Sequence, residues 1–306
     1  MNKDFLHIDD LNKNQFEEII NGAKIIKSKF KNNEIFHPLA NKTMAMVFAK
    51  PSARTRISFE TGFYRLGGHA LFLGPNDIGV GKRESVADIA RVLSRFNDII
   101  MARLFDHDHM LELAEYADVP VINGLTDFNH PCQIIADIFT IIEKKDNINN
   151  LKIAYVGDGN NIVHSWFELA MVIPINLTVI CPESFKPDMS LFNKAKEAGL
   201  SNIEISHDPF SGIKNSDVVY TDVWASMGQK EEAEERRRIF KDFQVNKNLM
   251  DNANPDALFM HCLPAERGVE VTDDICDSSN SVIFDQAENR MHAQNSIVLK
   301  LMGVDL

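Results

Sequence analysis

The sequence predicts an α/β protein built from two doubly wound parallel-sheet domains joined by interdomain helices. Three observations carry that expectation. Short apolar runs at 44–48, 70–73, 98–102 and 119–123 alternate with helix-period segments, the pattern of βαβ units whose sheet is covered on both faces. The alternation pauses at the polar stretch 143–150, taken as a domain boundary, and resumes at 151–156, 177–180 and 217–220. The length of 306 residues is about twice a typical domain of ~150.

Composition narrows the function. Hydrophobic residues at 44% and charged residues at 25% match a soluble globular chain and exclude disorder, a coiled coil or a collagen repeat. A net charge of −12 argues against a nucleic-acid binder and leaves room for a small anion held in a local cationic pocket. Cys132, Cys181, Cys262 and Cys276 are scattered without a CxxC pair, so reduced thiols are expected rather than a disulfide framework or a zinc site. The first residues lack the apolar core of a signal peptide, and no apolar stretch approaches the ~20 residues that span a bilayer. The expectation is a cytoplasmic protein with no membrane partner.

Taken in order, the strand at 44–48 precedes Lys50-Pro51-Ser52-Ala53-Arg54-Thr55-Arg56, after which Ile57, Phe59, Phe63 and Leu66 fit one helix face. Ser52 stands at an N-cap. A helix start beside two hydroxyls and two guanidiniums suits a phosphate, although an ordinary capped helix has the same local sequence. After the strand at 70–73, Val86, Ile89, Ala90, Leu93 and Phe96 form one apolar stripe. Arg103 directly follows the strand at 98–102, where a catalytic cation is expected in this architecture, although taken alone it fits a surface arginine equally well. The strand at 119–123 leads to Asn129-His130-Pro131-Cys132-Gln133 and a helix bearing Ile134, Ile135, Ile138 and Ile142. Pro131 favours an extended backbone at His130 and suits a first helical turn. His130 can donate to a carbonyl oxygen with Gln133 beside it, or serve structure alone.

The second half opens with Val156-Gly157-Asp158-Gly159-Asn160-Asn161-Ile162. This GxGxxI pattern invites a dinucleotide, with Glu183 as the ribose-binding acid, but Ile162 fills the slot of the third glycine. A nicotinamide-dependent dehydrogenase therefore stays open. The strand at 217–220 delivers Asp222 to the carboxyl edge of the sheet, where it can face an ammonium group. Ser226-Met227-Gly228 follows, before the charged segment 230–238. There Glu232 with Arg236, and Glu234 with Arg238, have the spacing of a solvated helix, compatible with a mobile lid. The apolar 257–259 precedes Met260-His261-Cys262-Leu263-Pro264, so Cys262 ends a strand and contacts a substrate amine, acts as a nucleophile or packs. Arg290 opens the last helix, about 287–301, within reach of an anion or a carbonyl.

Together the five segments resemble the aspartate/ornithine carbamoyltransferase family over nearly the whole chain, and its ornithine branch closely. Ser52-Ala53-Arg54-Thr55-Arg56 looks like the carbamoyl-phosphate signature, with Ala53 in a slot usually held by Thr. His130-Pro131-Cys132-Gln133, Gly157-Asp158-Gly159-Asn160-Asn161, Asp222 with Ser226-Met227-Gly228, and His261-Cys262-Leu263-Pro264 match the ornithine branch. The resemblance implies a carbamoyl-phosphate-binding domain over 1–147, an ornithine-binding domain over 148–285, and a final helix of about 286–306 that packs back on the first. It implies transfer of the carbamoyl group to the δ-amine of L-ornithine, giving L-citrulline and phosphate in arginine biosynthesis. No metal or organic cofactor is implied. A homotrimer with active sites at subunit interfaces is.

By the same resemblance, Arg103, His130, Asp222 and Cys262 are catalytic. Ser52, Ala53, Arg54 and Thr55 hold the phosphate. Arg103, His130 and Thr55 polarise the carbonyl, and Gln133, Cys262, Leu263 and Arg290 complete the carbamoyl-phosphate site. Asn161, Asp222, Ser226 and Met227 read ornithine, while Cys262 orients its δ-amine with Asp222. One position departs from the pattern. Five residues before Glu84-Ser85, where the family places a Gln from the neighbouring subunit, this chain has Gly79; Asn76, Lys82 or a backbone group would replace that contact, or it is weaker. A putrescine carbamoyltransferase and a non-catalytic binding member are the remaining alternatives.

Overall fold

The computed structural model describes residues 2–81, 83–225 and 232–306. Two compact units are present: Met1–Phe139 with Glu288–Leu306, and Thr140–Ala287. Both are parallel-sheet α/β assemblies, as the alternating pattern predicts.

The first unit runs α1 (Lys13–Lys31), β1 (Thr43–Phe48), α2 (Ala53–Arg65), β2 (His69–Leu73), α3 (Pro75–Ile78), α4 (Val86–Phe96), β3 (Ile99–Arg103), α5 (His107–Tyr116), β4 (Val121–Leu125) and the first part of α6 (Pro131–Lys145). Its strands lie in the order β2-β1-β3-β4, all parallel. Phe5 adds a single parallel bridge to Ile122. Strands β3 and β4 are buried throughout and β1 nearly so, whereas β2 is half exposed at the sheet edge. Full coverage was the expectation for all four strands; β2 departs from it because an edge strand has a neighbour on one side only.

Two helix readings change. Phe59, Phe63 and Leu66 are buried while Ile57 is 62% exposed, because a step of two residues turns about 200° around a helix. Phe96 is 75% exposed; it is the last residue of α4, with no following turn to shelter it. Strand β4 starts at Val121 rather than 119, since Pro120 has no N–H and joins the ladder only through its carbonyl, 2.9 Å from the Ile100 nitrogen.

The second unit holds the rest of α6, β5 (Lys152–Val156), α7 (Asn161–Ala170), β6 (Asn176–Ile180), α8 (Met189–Glu197), β7 (Asn202–Ser206), α9 (Pro209–Ile213), β8 (Val218–Thr221), α10 (Ala233–Ile239), α11 (Lys247–Met250), β9 (Leu258–His261) and α12 (Asp273–Cys276). Helix α13 (Ile283–Leu301) begins in this unit and ends in the first. The strand order is β7-β6-β5-β8-β9, again parallel. Strand β7 has only Ile203 and Ile205 on alternate positions, so no continuous apolar run announced it. Its core gathers Val156, Val219 and Phe259 from the strands under Trp224, Phe240 and Phe243. Trp224 and Phe240 stack 5.5 Å apart.

Candidate functional site

In an open parallel sheet, ligands bind beyond the carboxyl ends of the strands where the order reverses. The first sheet reverses between β1 and β3, and the second between β5 and β8. Each unit concentrates unusual side chains at that point.

In the first unit, Ser52 caps α2, its Oγ accepting from the Thr55 N–H at 3.3 Å and donating to Thr55 Oγ1 at 3.1 Å. Thr55 is fully buried. Its hydroxyl oxygen also accepts from Arg290 Nη2 at 2.8 Å and Arg103 Nη1 at 3.4 Å, so a strand end, a helix start and α13 meet on one atom. The register shift between Ala102 and Arg103 re-aims the Arg103 side chain, as bulges do. Arg54 is half-buried, with a buried Nε that has no protein acceptor among the described residues. Ala53 is exposed. Arg56 is not part of this group: it pairs with Glu60 at 2.9 Å and lies 4.0 Å over the Phe72 ring.

His130 is buried beside these cations. Burial first, then the charges of Arg290, Arg103 and Lys50, hold its imidazole well below the ordinary histidine range, so the ring is neutral at pH 7. Gln133 is also buried, and its Nε2 donates to Asp137 Oδ1 at 2.8 Å. That contact assigns the amide and leaves the buried Gln133 Oε1 without a donor among the described residues. Cys132 packs instead: its Sγ lies 3.4 Å from the Asn123 carbonyl, and burial pushes the thiol up to about 12.

In the second unit, Asp222 sits one residue past β8. Its Oδ1 accepts from Cys262 Sγ at 3.0 Å and its own neighbour's N–H, Val223, at 2.8 Å. Its Oδ2 accepts from Asn160 Nδ2 at 3.0 Å. Asn160 meanwhile caps α7 through the Ile162 N–H and receives the Tyr155 hydroxyl at 3.3 Å. Gly157 adopts φ +149°, and a Cβ on Gly159 would meet the Pro187 nitrogen at 2.2 Å. Both glycines therefore serve loop geometry here. Glu183, the imagined ribose acid, is exposed and pairs with Lys186 at 3.1 Å. Asn161 is half-buried at the start of α7, its carbonyl accepting from Ser165. Ser226, Met227 and Lys82 lie outside the described residues.

The described part of the charged segment, 232–238, differs from a fully solvated helix at one residue. Arg236 is buried; its Nη1 donates to Asp158 Oδ2 at 2.6 Å and to the Trp224 carbonyl at 2.8 Å, and the guanidinium lies 4.7 Å over Phe185. It ties the loop after β5 to the loop after β8. Asp158 has its pKa raised because burial outweighs the Arg236 contact. An i,i+4 pattern exists as well, Arg236 Nε lying 3.3 Å from Glu232, but spacing gave no sign that one arginine of three turns inward. Asn160, Asp137 and Arg236 are the contacts that sequence reasoning missed. Gly79 caps α3 at φ +54°, a left-handed conformation that suits Gly over the family's Gln. Asp222, His261 and Cys262 present metal-ligand atoms within 4.8 Å of one another, all of them engaged in hydrogen bonds within the protein.

Known families match both halves. The carbamoyl-phosphate-binding domain of aspartate/ornithine carbamoyltransferases matches residues 3–143, and the Asp/Orn-binding domain of the same family matches residues 149–301. This chain belongs to the aspartate/ornithine carbamoyltransferase family. It is similar to a chloroplastic ornithine carbamoyltransferase of Pisum sativum, 60% identical over 98% of this chain and 80% of the relative. It is also similar to an ornithine carbamoyltransferase of Thermococcus kodakarensis, 52% identical over 98% of this chain and 96% of the relative. Among solved structures, the ornithine carbamoyltransferase of Pyrococcus furiosus superposes with a TM-score of 0.93 at 50% identity, covering 98% of this chain and 97% of that one. An anabolic enzyme of Campylobacter jejuni does so with 0.92 at 36% identity, covering 98% and 99%.

Proposed function

We propose that this chain is an ornithine carbamoyltransferase: it transfers the carbamoyl group of carbamoyl phosphate to the δ-amine of L-ornithine, releasing L-citrulline and phosphate. The observation that carries the reading is the Thr55 hydroxyl shared by Arg103 and Arg290 at a helix start, beside a neutral buried His130. Ser52, Arg54 and Thr55, with the first N–H groups of α2, take the phosphate dianion; Ala53 lends only backbone. Arg103, Thr55 and the His130 N–H stabilise the oxyanion that forms when the carbonyl is attacked, commonly the largest electrostatic contribution in acyl transfer. Gln133 Oε1 accepts from the carbamoyl NH2, and Arg290 stands at the Thr55 hydroxyl in the same unit.

Ornithine supplies the nucleophile. Its δ-ammonium has the ordinary pKa of a lysine, ~10.4, and must lose a proton before attack. Desolvation lowers an amine's pKa, and the Cys262–Asp222 pair orients the neutral amine without a covalent adduct. Asn161 and Asp222, with Ser226 and Met227, read the α-amino and α-carboxylate groups. The anabolic names of the Pyrococcus furiosus and Campylobacter jejuni relatives support the direction of arginine biosynthesis. Exposed Ile57 and Tyr64 on α2 and Leu71 on the edge strand β2 support a homotrimer formed through the first unit, with active sites completed at its interfaces. Light scattering should return about three times the 34.6 kDa chain mass. No helix among the described residues is long and apolar enough to cross a membrane, and four free cysteines support a cytoplasmic setting.

The test is citrulline formation from carbamoyl phosphate and ornithine, repeated with Arg54→Ala and with putrescine. The account expects citrulline, near-complete loss in Arg54→Ala with the fold retained, and little turnover of putrescine. Preference for putrescine overturns the substrate, and full activity of Arg54→Ala overturns the phosphate site.

A further inference from the structure

The roles above leave out His261 and Glu270, both fully buried. His261 ends β9, and its N–H donates to Gln286 Oε1 at 2.9 Å. Its ring is fixed by two contacts. Nδ1 accepts from the Leu263 N–H at 2.8 Å, so the ring proton lies on Nε2. Nε2 in turn lies 3.2 Å from Glu270 Oε1, which also accepts from the Glu266 N–H at 2.5 Å. An imidazolium would set its second N–H against that of Leu263. Glu270 therefore selects the tautomer and orientation of the ring, as an outer carboxylate does for a histidine.

What the ring grips is an unusual residue. Leu263 has φ +60°, a conformation that a side chain of its size rarely adopts and that persists only when its surroundings over-determine it. It stands between Pro264 and Cys262, whose thiol reaches Asp222 at 3.0 Å.

We propose that His261 is a positioning residue: with Glu270 behind it, its Nδ1 clamps the Leu263 amide and so sets both the Cys262 thiol and the Leu263 carbonyl. The inference rests on the ornithine reading only for its kinetic consequence. His261 moves no proton and touches no substrate. It acts by geometry, where a displacement of about 1 Å costs on the order of 100-fold.

Two pairs of variants test it. His261→Asn keeps an acceptor near the place of Nδ1, while His261→Gln reaches towards Glu270 and gives up that acceptor. The expected result is kcat within about 3-fold of the parent for Asn and on the order of 50-fold lower for Gln, with any rise in KM for carbamoyl phosphate following the same order through the Leu263 carbonyl. The rate at which iodoacetamide alkylates Cys262, read by mass spectrometry, should follow the same order without any substrate present. Equal losses in Asn and Gln at equal thermal stability overturn the proposal. Should His261→Gln fail to fold, Glu270→Gln, which still accepts from Nε2, is expected to keep kcat within about 3-fold, and Glu270→Met to lose at least 10-fold. A Glu270→Met variant with full activity overturns the clamp, and so does a Glu270→Gln variant as weak as Met, which would assign the effect to charge. If the parent makes no citrulline yet the alkylation order holds, the clamp stands and the substrate reading falls.

Discussion

Replacing Arg236 by Met removes the cation that joins two loops of the second unit while keeping most of the buried stem. The parent side chain is 9% exposed and its partner Asp158 18% exposed. Taking one member from a buried pair costs about 3–5 kcal/mol. Asp158 keeps some access to water and has an already raised pKa, so it can protonate, and an expected cost of about 2–4 kcal/mol is the better figure. For a unit of this size each kcal/mol moves Tm by about 2–4 °C, giving a loss on the order of 10 °C. Differential scanning calorimetry measures it. Kinetics adds a local signature: KM for ornithine rises, because Asp158 and Trp224 flank Asn160 and Asp222, while KM for carbamoyl phosphate moves less, because the residues proposed to hold its phosphate, Ser52, Arg54 and Thr55, lie in the other unit. Asp158→Asn combined with Arg236→Met should recover much of the lost stability. A single variant that melts within about 2 °C of the parent with an unchanged ornithine KM would refute the reasoning.

Three further outcomes are expected. Thr55→Val removes the acceptor shared by Arg103 and Arg290, so kcat/KM for carbamoyl phosphate should fall by about 10- to 100-fold; an unchanged value in steady-state assays contradicts the site. Gln133→Leu deletes the neutral hydrogen bond proposed to the carbamoyl group, together with the buried Nε2–Asp137 bond at 2.8 Å, and should raise KM for carbamoyl phosphate by about 3- to 10-fold with ornithine unaffected, and an effect on ornithine instead would count against it. Acid should destabilise the fold through His107, lowered to about 4 mainly by burial and next by His7, and through His130. Both are neutral when folded, so their stability is complete above the unfolded pKa near 6.5 and declines as pH falls towards 4. His107→Gln should flatten the slope of unfolding free energy against pH in that window by at most about 1.4 kcal/mol per pH unit, read by urea titration at several pH values; an unaltered slope contradicts the assignment.

The class of fold was legible because buried parallel strands announce themselves as uninterrupted apolar runs, as at 44–48 and 98–102. It was least legible at sheet edges. Strand β7 alternates polar and apolar residues, and β2 is apolar in sequence yet half exposed. Residue type alone left the site loops open, and it was the family resemblance that grouped their residues; in the structure Thr55, Arg103 and Arg290 meet on one oxygen and Cys262 lies 3.0 Å from Asp222. The supporting contacts were not. Nothing in the run Arg236-Arg237-Arg238 marks the first as buried, because Asp158 is 78 residues away. Likewise the strand at 257–259 extends two residues further to include His261, and only that extension turns the ring towards Glu270.

The central claim is acyl transfer from phosphate oxygen to amine nitrogen, and isotope tracing tests it most directly. Carbamoyl phosphate carrying 18O at the bridging position is turned over with L-ornithine, and the products are weighed by mass spectrometry. Attack on the carbonyl carbon predicts citrulline and phosphate in equal amounts, with all of the label in phosphate. Label retained on the carbamoyl side, or phosphate released without citrulline, would contradict the account.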